Sequence, residues 1–139
     1  MNTEFMKAAI ETAKQSGNDI PVGAVIVKDG QIIAAACNER EKSQRTIAHA
    51  EILAIEKANK ILNNWRLNDC DLYVTLEPCP MCASAIIQAR IKNVYFGSYD
   101  LINGAFGSKI NMSDNINIKG GILEEECSDL LKKYFKDIR

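Results

Sequence analysis

The sequence predicts an α/β fold in which a mixed β-sheet carries helices on both faces. Helical and strand-like hydrophobic patterns follow one another in the order α-β-β-α-β-α-β-β-α along the 139 residues. This order contains two βαβ units, which favour parallel strand pairs. Lys28-Asp29-Gly30 is a tight hairpin signal, so it makes one pair antiparallel. The length fits a single domain, which we expect to span residues 1–139.

The first half of the chain predicts two helices on either side of a hairpin. Its elements are a helix over 3–16, strands over 21–27 and 31–37, a polar loop over 38–46 and a helix over 48–62. Both helices have apolar residues on one face, and they end at Ser16-Gly17-Asn18 and at Asn63-Asn64. Both strands are rich in apolar residues and flank the hairpin signal.

The second half predicts a βαβ unit, a long loop and a final helix. Its elements are a strand over 71–76, a helix over 80–90, a strand over 93–97, a loop over 98–115, a short strand over 116–119 and a helix over 123–137. The first of these helices is apolar on nearly every side, which predicts burial on most sides. A loop as long as the predicted one usually accompanies function or mobility.

Composition and charge exclude several classes of protein. The net charge is -1 and the isoelectric point is about 5.9, so a generally basic protein that coats nucleic acid is not expected. No stretch approaches the ~20 apolar residues of a membrane span. Glu4 stands where a signal peptide carries positive charge, so we expect a cytoplasmic protein. The five cysteines are an odd number, and a reducing compartment disfavours a disulfide framework.

Two short motifs together have the composition of a metal site. His49 and Glu51 form a His-x-Glu motif, and Cys79 and Cys82 form a Pro-Cys-x-x-Cys motif. The two cysteines are three residues apart at a predicted helix start, so both thiols project to the same side. The unpaired N–H groups of a helix N-terminus favour thiolate over thiol. These features predict a zinc site.

The number of ligands indicates a catalytic zinc site. A structural zinc site normally uses four protein ligands, whereas a catalytic site uses three and leaves a position for water. Cys37 and Cys127, two candidates for a fourth ligand beside Cys70, fit better as small core residues. Glu51 lies two residues from the predicted ligand His49, so it is suited to act as the base that moves protons.

These residues also have simpler interpretations. A lone histidine is commonly a hydrogen-bonded residue, and Glu51 by itself would be a solvated helix carboxylate. Cys79-Pro80-Met81-Cys82 alone would fit a thioredoxin-like redox pair. A redox pair does not explain the His-x-Glu motif at the start of the preceding helix, so the zinc interpretation is favoured. We expect Glu77, which precedes Pro78, to be structural and to orient the turn or the ligands.

At these motifs the sequence resembles the cytidine deaminase superfamily, and within it the bacterial tRNA-specific adenosine deaminases. The zinc motif by itself identifies only the superfamily. The run Tyr73-Val74-Thr75-Leu76-Glu77-Pro78 and the loop from Asp100 to Ser108 are similar to the tRNA enzymes. The resemblance covers nearly the whole chain.

The resemblance implies a three-layer α/β/α cytidine-deaminase-like fold with a mixed five-stranded sheet. It implies hydrolytic deamination of the wobble adenosine in a tRNA anticodon loop to inosine. One zinc ion per subunit would be held by His49, Cys79 and Cys82, with zinc-activated water as the nucleophile and Glu51 as the proton shuttle.

The resemblance also implies substrate contacts and an oligomeric state. Asn38 matches the family residue that hydrogen-bonds the target base, and Asp100 matches a loop residue near the target nucleotide. Without the resemblance, Asn38 would be a turn residue and Asp100 a solvated loop acid. The implied partners are a tRNA anticodon stem-loop and a second copy of the chain, since the family forms homodimers with the active site near the interface.

Three segments leave the family pattern or have two interpretations. Arg45-Thr46-Ile47 stands where relatives usually carry Asp-Pro-Thr, and Ser98-Tyr99 stands where some carry Ala-Arg. Residues 132–139 have a net charge of +3. These cations either complement the helix dipole or contact RNA phosphates.

Three other functions remain open from the sequence. A deaminase of the same fold that acts on free guanine, cytosine or a nucleoside would share the zinc motif, and the acidic isoelectric point suits a small substrate. A non-catalytic, zinc-stabilised RNA-binding module would share the ligands but would not release ammonia. A redox protein would form a reversible disulfide between Cys79 and Cys82.

Overall fold

The computed structural model describes residues 3–113 and 115–137, which form five helices and one five-stranded sheet. In chain order the elements are α1 (Thr3–Ala13), β1 (Gly23–Lys28), β2 (Gln31–Cys37), α2 (Arg40–Ser43), α3 (Ala50–Leu62), β3 (Cys70–Leu76), α4 (Pro80–Gln88), β4 (Asn93–Ser98), β5 (Asn117–Lys119) and α5 (Glu124–Asp137). The predicted order of elements is confirmed. The one addition is α2, inside the predicted polar loop.

The sheet is mixed, as predicted, and its strand order is β2-β1-β3-β4-β5. Strand β1 is antiparallel to both β2 and β3, while β3, β4 and β5 are mutually parallel. The hairpin at residues 28–30 joins β1 to β2, with Asp29 and Gly30 at positive φ. The chain then crosses β1 through α3 to reach β3.

Both faces of the sheet are buried under helices. On β1, Ala24 and Ile26 belong to the core that includes α3 and α4, whereas Val25 and Val27 belong to the core that includes α1 and the start of α5. This alternation follows from the two-residue period of a strand. The result is the predicted three-layer α/β/α fold.

Helices α3 and α4 begin at the same edge of the sheet. His49 is the N-cap residue of α3, and Cys79 is the N-cap residue of α4. Pro80 occupies the first turn of α4, where its missing N–H costs no hydrogen bond. Two positive helix ends therefore meet at one edge, which is the position that the fold provides for a site.

Helix α4 is buried along one face, at Cys82, Ala83 and Ile86, while Ser84 and Gln88 are exposed. The prediction of burial on most sides is therefore wrong, since Met81, Ala85 and Ile87 are only partly buried. None of the helices within residues 3–113 and 115–137 is long and apolar enough to cross a lipid bilayer.

Candidate active site

The three predicted zinc ligands lie together at the N-terminal ends of α3 and α4. Nδ1 of His49 is 3.7 Å from Sγ of Cys79 and 3.4 Å from Sγ of Cys82. The ligand atoms all lie within 4.8 Å of one another, which is close enough for one metal ion. Within the described part of the chain, this is the one group of three or more His, Cys, Asp or Glu residues with that geometry.

The two sulfurs differ in their environment. Cys82 is fully buried, whereas Cys79 is half-buried. A hydrogen bond from Cys82 is the largest of the effects that lower the pKa of Cys79 to about 3, although burial opposes the shift. The same hydrogen bond, together with burial and the charge of Glu51, raises the pKa of Cys82. Without a metal ion, these shifts favour a thiolate at Cys79 and a protonated thiol at Cys82.

The pKa of the His49 imidazole is raised, mainly by its hydrogen bond with Cys79. Burial opposes this shift. On the other side of the ring, Nη2 of Arg40 lies 2.6 Å from Nε2 of His49. Nδ1 therefore faces the two sulfurs, and the ring is held between the cysteines and the guanidinium.

Glu51 lies on the first turn of α3 and is buried, with 4% of its surface exposed. Burial raises the pKa of its carboxyl group to about 7, against the lowering effects of its own backbone, of His49 and of Cys82. A carboxyl group with a pKa near neutrality both accepts and returns protons at physiological pH. A solvated helix carboxylate, the simpler interpretation, would not be buried in this way.

A pocket of about 390 Å³ opens beside these residues. Its walls include His49, Glu51 and Cys79, and they also include both predicted substrate residues, Asn38 and Asp100. Such a volume lies in the range of small-molecule sites. The structure therefore brings the six predicted site residues to one place; Cys82 does not line the pocket, but its Sγ lies 3.4 Å from Nδ1 of the wall residue His49.

Asn38 has a structural contact on each side of its amide group. Its Oδ1 accepts a hydrogen bond from the N–H of Ala50 at 2.8 Å, and its Nδ2 donates to the carbonyl of Ile20 at 3.1 Å. The side chain thereby joins the start of α3 to the segment before β1. One N–H and one acceptor lone pair of the amide remain.

Asp100 lies at the start of a loop that we call the rim loop, residues 99–112. Its Oδ1 accepts hydrogen bonds from the N–H groups of Ile102 and Asn103, so the carboxylate stabilises the turn in which it lies. Asp100 and Asn103 both line the pocket. The rim loop therefore forms one wall of the site.

Six residues that line the pocket were not predicted as site residues: Ile20, Val22, Arg40, Leu76, Glu77 and Asn103. Arg40 lies on α2, whose first N–H groups donate to the buried carboxylate of Asp19 at 2.8 and 3.2 Å. Nothing in the local sequence predicts this helix, because its partner is more than twenty residues upstream. Glu77, expected to be structural, also lines the pocket, where its carboxylate accepts hydrogen bonds from the rim loop.

The departures from the family pattern do not line the pocket, although they lie within a few residues of His49 and Asp100 along the chain. Arg45 pairs with Glu56 at 3.6 Å between two half-exposed side chains, and Ile47 is 47% exposed. The ring of Tyr99 packs edge-on against Phe96, with ring centroids 5.0 Å apart. Of the cations in the basic segment 132–139, Arg139 lies outside the described residues.

Comparison with known proteins agrees with this geometry. The family model for the cytidine and deoxycytidylate deaminase zinc-binding region matches residues 1–98. The tRNA-specific adenosine deaminase of Bacillus subtilis (strain 168) is 45% identical over 143 residues, which cover 97% of this chain and 89% of that protein.

Two solved structures are also similar. One, from a study of A-to-I editing by tRNA:A34 deaminases at the wobble position of transfer RNA, has a TM-score of 0.90 at 38% identity and covers 94% of this chain and 100% of that chain. The other, a guanine deaminase from Bacillus subtilis, has a TM-score of 0.68 at 39% identity, and the match covers 81% of this chain and 84% of that chain. The chain is therefore a deaminase of the cytidine and deoxycytidylate deaminase family, and it belongs to the tRNA-specific adenosine deaminases within that family.

Proposed function

We propose that this protein converts the wobble adenosine of a tRNA anticodon loop to inosine by hydrolysis, with water as the second substrate and ammonia as the second product. The observation that carries the proposal is the pocket where His49 and Cys79 lie beside the buried carboxyl group of Glu51. The proposal is supported by the relative that is 45% identical, which is a tRNA-specific adenosine deaminase.

We assign the zinc site to His49, Cys79 and Cys82. Two sulfurs and one imidazole nitrogen are a donor set that suits zinc, and three protein ligands are typical of catalytic zinc sites. A zinc ion supplies Lewis acidity, which activates water as a nucleophile near neutral pH. The thiolate that the site already favours at Cys79 agrees with this assignment.

We assign proton transfer to Glu51. Its carboxylate takes the two protons of the attacking water one after the other, and it delivers the first to the purine ring nitrogen and the second to the amino group that leaves as ammonia. Burial keeps its pKa at about 7, so neither the charged nor the neutral form is strongly disfavoured at that pH.

Asn38 and Asp100 are proposed to bind the target base from two walls of the pocket. The remaining N–H and lone pair of the Asn38 amide match the donor and acceptor pattern of a purine edge. Because the anticodon loop is unpaired, the target base enters the pocket without the opening of a duplex.

A free guanine deaminase is the second candidate, because one solved structure of that activity is 39% identical to this chain. By contrast, relatives that are 39 to 45% identical over nearly the whole chain are tRNA-specific adenosine deaminases. The guanidinium of Arg40 at the pocket wall also suits a substrate that carries phosphate groups. Both observations favour RNA over a free base.

Ammonia release from two substrates tests the proposal. Zinc-loaded protein is incubated with an anticodon stem-loop RNA that carries adenosine at the wobble position and, separately, with free guanine. We expect ammonia from the RNA alone. Ammonia from guanine and not from the RNA would overturn the proposal, and RNA binding without ammonia from either substrate would identify a non-catalytic module.

We further propose that the protein is a homodimer and is cytoplasmic. Leu101 and Ile102 on the rim loop are 78% and 76% exposed, and adjacent exposed apolar side chains mark interaction surfaces. The five free cysteines fit a reducing compartment. Light scattering should give a mass of twice 15.4 kDa, and a single-chain mass at every concentration would contradict the dimer.

A further inference from the structure

We propose that Glu77 is a positioning residue that sets the affinity of the pocket for RNA by holding the rim loop in place. The inference rests on the proposed function, since it concerns how the same pocket binds its substrate. Glu77 lies between the end of β3 and the zinc ligand Cys79, and only 2% of its surface is exposed.

The carboxylate of Glu77 accepts four hydrogen bonds from the rim loop. Oε1 accepts from the N–H of Asp100 at 3.1 Å and from the hydroxyl of Ser108. Oε2 accepts from the N–H groups of Phe106 and Ser108, at 3.0 and 3.1 Å. The loop is therefore wound around one buried side chain that belongs to the metal-binding segment.

Two further observations show how closely this side chain is surrounded. The N–H of Ala105 donates to the carbonyl of Pro78 at 2.8 Å, which fixes the loop to the residue before Cys79. A Cβ atom at Gly104 would overlap the Glu77 carboxyl group. Glycine is therefore required at this position by the close approach of the carboxylate.

The position of the rim loop determines where the substrate residues lie. Asp100 and Asn103 both line the pocket, and the N–H of Asp100 donates a hydrogen bond to Glu77. A displacement of the rim loop would therefore displace that wall of the pocket. The zinc ligands and Glu51 are held separately, at the starts of α3 and α4. Loss of the Glu77 contacts should therefore weaken substrate binding more than the chemical step.

Glu77→Gln is the most direct variant. The amide has nearly the same shape, but its NH₂ group cannot accept hydrogen bonds. Whichever way the amide is turned, one pair of loop donors loses its acceptor. We expect the KM for the stem-loop RNA to rise about tenfold or more, with kcat changed less than about threefold and the bound zinc retained.

The matched control is Cys127→Ala. Cys127 is 1% exposed and packs in the core on the opposite face of the sheet, so its truncation lowers stability without touching the rim loop. Ser108→Ala, which removes one of the four hydrogen bonds, should raise KM by a smaller factor and serves if Glu77→Gln does not fold. Neither KM nor kcat should change in Cys127→Ala.

Hydrogen exchange at the amides of Asp100, Phe106 and Ser108 gives a readout that does not depend on activity. These amides should exchange faster in the Glu77→Gln variant than in the wild type, and their exchange rates should be unchanged in Cys127→Ala. If neither KM nor the exchange rates changed in Glu77→Gln, the positioning role would be overturned. It would also be overturned if kcat fell about tenfold while KM stayed the same. If the wild type does not deaminate RNA, the proposed function fails, but the exchange rates still test whether Glu77 holds the loop.

Discussion

The metal-binding corner, formed by His49, Cys79 and Cys82, and the rim loop lie on two sides of one pocket, but they are held in different ways. Each residue of the corner is fixed by the start of a helix: His49 by α3, and Cys79 and Cys82 by α4. The rim loop has no helix or strand beyond an isolated bridge between Phe106 and Asn111. The contrast suggests that chemistry depends on the helix starts and substrate affinity on the loop.

The largest effect should come from loss of a ligand in the corner. Cys82→Ala removes one of three predicted zinc ligands from a fully buried position. We expect zinc to be lost and ammonia release to fall to background, measured by metal analysis and by the RNA assay. Cys127→Ala is the control and should keep its zinc, and a Cys82 variant that retains both zinc and activity would contradict the assignment.

A somewhat smaller effect should come from Glu51→Gln, which keeps the shape but cannot move protons. We expect kcat to fall by about 10³-fold, within the range of general acid–base catalysis, while zinc and RNA binding are retained. Metal analysis and single-turnover kinetics check this result. Activity within tenfold of the wild type would mean that another group transfers the protons.

Arg40→Ala should change binding rather than chemistry. Its guanidinium lies at the pocket wall, 2.6 Å from Nε2 of His49, and its positive charge suits a phosphate group. We expect KM for the RNA to rise about tenfold at low salt and by less at high salt, because screening weakens the lost interaction. A KM that is independent of both the variant and the salt would exclude a phosphate contact.

The smallest perturbation is alkylation of the metal-free protein, which sharpens the contrast within the corner itself. The pKa of Cys79 is lowered to about 3 and the residue is half-buried, whereas the pKa of Cys82 is raised and that of buried Cys127 is raised to about 12. At pH 6, iodoacetamide should label Cys79 first, and zinc should protect it. Mass mapping that finds Cys82 labelled as fast as Cys79 would contradict these environments.

The metal-binding corner could be predicted from the sequence because its geometry is local. Residues three apart at a helix start project to the same side, so the positions of Cys79 and Cys82 alone predict a shared site. The pairing with His49 rested on the His-x-Glu motif at the start of the preceding helix, which a redox pair does not explain. The structure places these ligand atoms together, as the spacing predicts.

The rim loop could not be predicted in the same way. Three of its N–H groups donate to Glu77, which lies 23 residues before Asp100 and 31 before Ser108. Helix α2 was missed for the same reason, since Asp19 caps it from 22 residues upstream of Glu41. Hydrogen bonds between distant residues leave no periodic pattern in the sequence.

X-ray absorption at the zinc edge of the loaded protein tests the central claim most directly. Zinc held by His49, Cys79 and Cys82 with an open position requires two sulfur neighbours at about 2.3 Å and two nitrogen or oxygen neighbours at about 2.0 Å. We predict this first coordination shell, together with the loss of one sulfur neighbour or of the metal in Cys82→Ala. A shell of three or four sulfurs, or one without sulfur, would contradict the account.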